Sequence, residues 1–117
     1  LKKWQAENRL LTTEVPIVQK ATLVTHQAVP ARLATKDQIL GWLGKTDTTI
    51  LATIPLAEFT GGNTKGHLKG GHIPGAVRLN WTENLTSGDV PVFKTAAELA
   101  PLYESLGVTK DKNTVLY

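Results

Sequence analysis

Two histidines in one glycine-rich stretch, His67 and His72 of "HLKGGHIPGAV", are the first residues here whose types and spacing could do chemistry. A zinc ion asks for three or four ligands in tetrahedral array. This pair has glycines between its members and no third ligand beside it, so no metal site is expected. The neighbouring "GGNTKG", Gly61 to Gly66, has the glycine density of a phosphate cradle. A P-loop would continue with lysine and then serine or threonine and would open a helix. Here His67 follows and the segment runs toward a strand, so that reading fails. The chain contains no cysteine, which removes disulfides, thiolate metal sites and a cysteine nucleophile from these residues. Asn84-Leu85-Thr86 matches a glycosylation sequon of a length that arises by chance.

What remains of "GGHIPGAV" is a structural device. Gly70, Gly71 and Gly75 admit backbone angles closed to other residues, and Pro74 fixes its own. The chain is thereby swung from a surface loop into a short strand, "AVRLN", with His72 expected to be hydrogen-bonded in the turn. The entrance fixes where the strand begins and so where Trp81 ends up.

The elements around this turn can be read from local patterns. "TKDQILGWLG" opens with Thr35 as N-cap and Gln38 three residues on, a capping box, with Ile39, Trp42 and Leu43 as the apolar face and Gly44 as the stop. "TTILATI" is a β-branched run expected to form a buried strand. Pro55 suits the first turn of a short helix, "PLAEF". "FKTAAELAPLYESLG" has Thr95 and Glu98 as a second capping box, a stripe of Leu99, Leu102, Tyr103 and Leu106, and an interrupting Pro101. Gly107 ends it, and "NTVLY" is a further strand, apolar enough to be an interior one. Strand, helix, strand, helix, strand is the grammar of a parallel α/β sheet covered by helices. The working crevice of such a sheet lies beyond the carboxyl ends of its strands. That selects Ile54 to Glu58 and Asn80 to Glu83.

Composition bounds the rest. At 117 residues, 41% apolar and 20% charged, the chain has the make-up of a globular protein with room for one modest core. No apolar run is long enough to span a membrane. The net charge of +3 is spread thinly and the seven aromatic residues are scattered, which is not the dense cation-aromatic pattern of a nucleic-acid surface. At the start, "LKKWQAENRLL" sets Leu1, Trp4, Asn8 and Leu11 on one helical face, as at the end of an amphipathic helix. "TTEVPIVQKATLVTHQAVPARLAT" then reads as an extended linker with room for a short strand.

"GHIPGAV" followed by "LNWTENL", "FKTAAELAPLYESLGV" and "NTVLY" resembles the rhodanese family of sulfurtransferases, and more narrowly the second domain of a two-domain rhodanese. "EFTGG" fits that subtype, and "LKKWQAENRLLTTE" is similar to the last helix leaving a preceding rhodanese domain. The resemblance implies a rhodanese-like parallel sheet with flanking helices, incomplete at the C-terminus. It divides the chain into a tail helix at 1–14, an inter-domain linker at 15–34 and the first part of a rhodanese-like domain at 35–117.

The resemblance also implies a persulfide mechanism, in which a cysteine takes the outer sulfur of thiosulfate and passes it to an acceptor such as cyanide. That cysteine belongs to a loop directly after Tyr117, so no catalytic residue is expected within the chain, and no cofactor. Trp81, where the family often has an aromatic wall, and Glu58, on the short helix, are the substrate-pocket candidates. Core packing is the alternative for Trp81, and a charge favoured by the helix dipole is the alternative for Glu58. One departure stands out: the strand ending "LATI" has Ala52 and Ile54 where the family reads Asp, any residue, Arg. That loss supports a second reading, a non-catalytic rhodanese-like scaffold or regulatory module. A phosphatase of related fold, with a longer cysteine loop ending in arginine, is the third. Expected partners are thiosulfate, in the complete protein, and further polypeptide covering the sheet, with neither nucleic acid nor membrane. Cytoplasm and periplasm are both compatible with the sequence.

Overall fold

The computed structural model describes residues 1–22, 29 and 32–117. It divides into two compact units, Leu1–Leu33 and Ala34–Tyr117. In the first, helix α1 is one short stretch, Lys2–Ala6. The Trp4 indole donates to Leu10 O at 2.9 Å, and the Arg9 guanidinium lies 5.0 Å over the Trp4 ring. Arg9 also pairs with Glu7. No residue of α1 is buried, and Leu1 and Trp4 are exposed. Residues 15–22 form neither helix nor strand. The strand allowed for in the linker falls partly on residues 23–28, 30 and 31, outside the described residues.

The second unit holds all of the sheet. Helix α2, Lys36–Trp42, starts where its capping box says it should. Thr35 Oγ1 accepts from Gln38 N at 3.3 Å, and Gln38 Oε1 accepts from Thr35 N at 2.8 Å. Two orphan amides are thus satisfied reciprocally. Gly44, at φ +74°, turns the chain toward strand β1, Thr48–Ala52. The short helix α3, Leu56–Phe59, follows with Pro55 as its N-cap, one position earlier than the first-turn placement read from the sequence. Strand β2 is only Val77–Arg78, helix α4 is Ala96–Glu104 and strand β3 is Asn113–Leu116.

The three strands are parallel in the order β2-β1-β3. Leu51 pairs with Val77 on one side and with Leu116 on the other. Strand β1 is therefore the central one and carries the core: Ile50, Leu51 and Ala52 are buried, with Ala76 and Leu79 from the second strand's flanks. Its one buried polar residue, Thr49, donates its hydroxyl to Gly107 O at 2.7 Å and ties the end of the α4 segment to the sheet. Within these residues β3 lies at the edge of the sheet and only Val115 is half-covered. Apolar composition marks a strand as able to be buried, but the neighbours it finds decide whether it is. Leu99, Leu102, Tyr103 and Leu106 of the α4 segment are half-buried rather than buried, as a single sheet face can cover them only in part. Pro101 costs α4 one hydrogen bond without ending it, since Ser105 N still donates to Pro101 O.

Candidate functional site

Strands β1 and β3 run out of the core side by side, and their carboxyl ends are joined through Tyr117. Its backbone receives Thr53 N at 2.8 Å and the Thr53 hydroxyl at 2.9 Å, while its own N donates to Leu51 O at 3.1 Å. The phenolic oxygen accepts from Ile73 N at 3.0 Å. Tyr117 thus fastens the end of β1 to the turn that feeds β2.

Beyond this junction lies a half-open cleft of about 240 Å³, lined by Ile54, Glu58, Asn63, Thr64, His67, Lys69, Gly70, Gly71 and Tyr117. Its floor is the two strand ends, its wall is α3 and its roof is the loop between Gly61 and Gly70. That loop closes on itself. A Cβ placed on Gly70 would lie 2.8 Å from both Cα and O of Gly61, so the two backbones touch where no side chain fits. Compact loops with adjoining ends are a recurrent form of surface loop. A second clasp lies just outside the first: the His72 ring stacks on Phe59 with centroids 3.7 Å apart and planes at 6°, and its Nδ1 donates to Phe59 O at 2.7 Å. Inside the loop, Asn63 Oδ1 accepts from Lys65 N at 3.0 Å and Thr64 O from His67 N at 2.8 Å.

The charges are unevenly spent. Glu58 is the one carboxylate in the lining, and Lys65 Nζ stands 3.4 Å from it. His67 and Lys69 form no ion pair among the described residues. On the neighbouring strand end Arg78 pairs with Glu83 at 2.7 Å, and Glu83 Oε1 also accepts from Asn80 N in a capping box. Ala52, at the position where the resembled family has an acid, is fully buried, and Ile54, at the position of the base, lines the cleft.

The two candidate pocket residues part company. Glu58 lines the cleft. Trp81 opens the 3-10 turn Trp81–Asn84 and donates its backbone N to Thr53 O at 3.2 Å, so it stands at the carboxyl edge, yet its side chain is not among the cleft's walls. Nor is it packed in the core, being 60% exposed. The histidines are separated as well: His67 faces the cleft and His72 is held by Phe59, across from the turn rather than within it. Among the described residues no cluster of three metal-ligating side chains occurs. Sequence reading missed Tyr117, Lys69 and the closure of the loop. The available signals were the carboxyl-end position of Tyr117 and the spacing of Lys65, His67 and Lys69 at alternate residues between two glycines.

No family model matches the chain. Curated relatives do, among them the following three. The sulfur carrier protein TtuD of Thermus thermophilus is 34% identical over 125 residues, covering 98% of this chain and 43% of that protein. A thiosulfate sulfurtransferase of Azotobacter vinelandii is 34% identical over 119 residues, covering 100% and 42%. One of Corynebacterium glutamicum is 35% identical over 124 residues, covering 97% and 40%. The chain spans about two fifths of the length of these relatives. Among solved structures, the complex of EanB with hercynine superposes with a TM-score of 0.57 at 24% identity, over 72% of this chain and 17% of that one. This is a likeness of fold alone.

Proposed function

The chain belongs to the rhodanese family of sulfurtransferases, and from that premise we propose that the whole protein moves the outer sulfur of thiosulfate to a thiophilic acceptor such as cyanide. A cysteine thiolate attacks that sulfur, the S–S bond of thiosulfate breaks and sulfite leaves with the electron pair. The acceptor then takes the sulfur from the persulfide and regenerates the thiolate, so the cycle needs no outside oxidant or reductant. Residues 1–117 hold no cysteine, and the nucleophile is assigned to residues of the protein other than these. The chain's own share is the cleft at the carboxyl ends of β1 and β3, with Glu58 in its lining and Trp81 at its outer edge.

The observation that carries the proposal is the position of that cleft. It lies where an open parallel sheet binds its ligands, and it is walled by residues that carry charge and by glycine backbone. Leu116, Leu56 and Trp81, each at least 60% exposed around this edge, are the surface that further polypeptide of the same protein would cover.

A specific observation favours the competing reading of a non-catalytic scaffold: the strand end keeps neither the acid nor the base of the family, having Ala52 and Ile54 instead. One experiment decides. The whole protein is incubated with thiosulfate, its mass is measured, and cyanide is then added. A gain of one sulfur atom, discharged as thiocyanate, is expected, while residues 1–117 alone take up none. A whole protein that gains no sulfur is the scaffold. Sulfur uptake by residues 1–117 alone would remove the persulfide chemistry from the account.

A further inference from the structure

A divalent sulfur oxyanion needs positive charge or N–H donors at the cleft, and Ala52 and Ile54 at the end of β1 bring no charge. We infer that the loop between Gly61 and Gly70 takes part in anion recognition, with Lys69, His67 and the backbone amides of Lys69, Gly70 and Gly71 as its binding groups; this rests on the sulfurtransferase reading of the same cleft.

Three independent features converge. Lys69 and His67 both line the cleft and neither is engaged in an ion pair among the described residues. The N–H groups of Lys69, Gly70 and Gly71, all three in the cleft's lining, donate to no protein acceptor among the described residues. A run of successive free amides beside a cationic side chain, here that of Lys69, is an arrangement that holds oxyanions. Gly71, at φ +111°, gives the run its turn. Finally, the cleft's carboxylate does not oppose an anion at full strength, because Lys65 at 3.4 Å offsets the charge of Glu58. Tyr117 adds a hydroxyl whose oxygen is occupied by Ile73 N and whose hydrogen is free to donate.

In the whole protein, Lys69→Gln is expected to raise KM for thiosulfate about tenfold, since a unit charge beside a dianion at the surface is worth roughly that much, with kcat unchanged. Glu58→Gln removes the opposing charge and is expected to lower KM. Lys110→Gln, far along the chain, leaves both constants as they were. The second arm does not depend on turnover: amide resonances of residues 1–117 are followed by NMR during titration with sodium thiosulfate and with sodium sulfate. Saturable shifts centred on Lys69, Gly70 and Gly71, lost in Lys69→Gln, are expected with both salts.

Such shifts without any turnover by the whole protein would sustain the anion site while overturning the transferase reading. Turnover with KM unmoved in both variants would overturn the anion site and leave the transferase reading standing. Should Lys69→Gln fail to fold, Glu58→Gln carries the test, because a merely structural glutamate gives no reason for tighter binding when it is replaced.

Discussion

Replacing Gly70 by alanine tests whether the loop over the cleft is closed by backbone contact. The added Cβ would stand 2.8 Å from Cα and O of Gly61, well short of the 3.4 Å at which ordinary contact begins. The obstacle is backbone on both sides and cannot rotate away as a side chain would, so one strand of the loop base has to move. Overpacking of this kind costs about 1–3 kcal/mol. In a unit of this size each kcal/mol lowers Tm by roughly 4–8 °C, so a fall of about 10 °C is expected in a thermal scan followed by circular dichroism. Gly62→Ala is the internal control. Its Cβ would meet Ala57 O at 3.5 Å, an ordinary contact, and Gly62 has no left-handed backbone. Both changes restrict the unfolded chain equally, and their difference therefore isolates the clash. Equal Tm values for the two variants would refute the closed loop base and, with it, the roof of the cleft.

Tyr117→Phe removes the acceptor of the Ile73 amide at a half-buried position; a loss of about 1 kcal/mol and faster hydrogen exchange at Ile73 are expected, and unchanged exchange would mean that the phenol does not hold the turn. Hydrogen bonds from the Thr95 hydroxyl and then the Thr95 amide hold the Glu98 carboxyl below its ordinary 4.5. A group lowered on folding stabilises the folded state above its unfolded value and loses that contribution as pH falls through its folded value. The start of α4 should therefore loosen only on the acid side of pH 4.5, and Thr95→Ala should move the Glu98 midpoint, read by carbon NMR, back up. A midpoint unmoved by the substitution would contradict the capping box as its cause. Residues 1–117 alone, with the exposed Leu116, Leu56 and Trp81, are expected to self-associate in sedimentation velocity as concentration rises; a species that stays monomeric throughout would argue that these side chains need no cover.

Legibility followed the range over which each cause acts. Thr35 with Gln38 and Thr95 with Glu98 satisfy amides three residues away, so sequence spacing alone locates both helix starts. The run at Thr48–Ala52 marks a buried strand because its composition fits only the interior. The pairing of β3 with β1 was not legible, since it depends on how strands distant in sequence meet. The partner of His72 was out of reach for a related reason: Phe59 is met only when the loop closes. Glycine at 61 and at 70 signals freedom or close approach without saying to what.

The cleft itself follows from one fact at two levels. Ala52 is wholly buried in the central strand, in register with Arg78, and a charge placed there would be stripped of water. The end of β1 has become core, and its next inward position, Ile54, lines the cleft with hydrocarbon. The loop between Gly61 and Gly70 is a segment that leaves the sheet and returns over this edge. Gly61 and Gly70 make that excursion short, and the side chains it carries over the strand ends are His67 and Lys69.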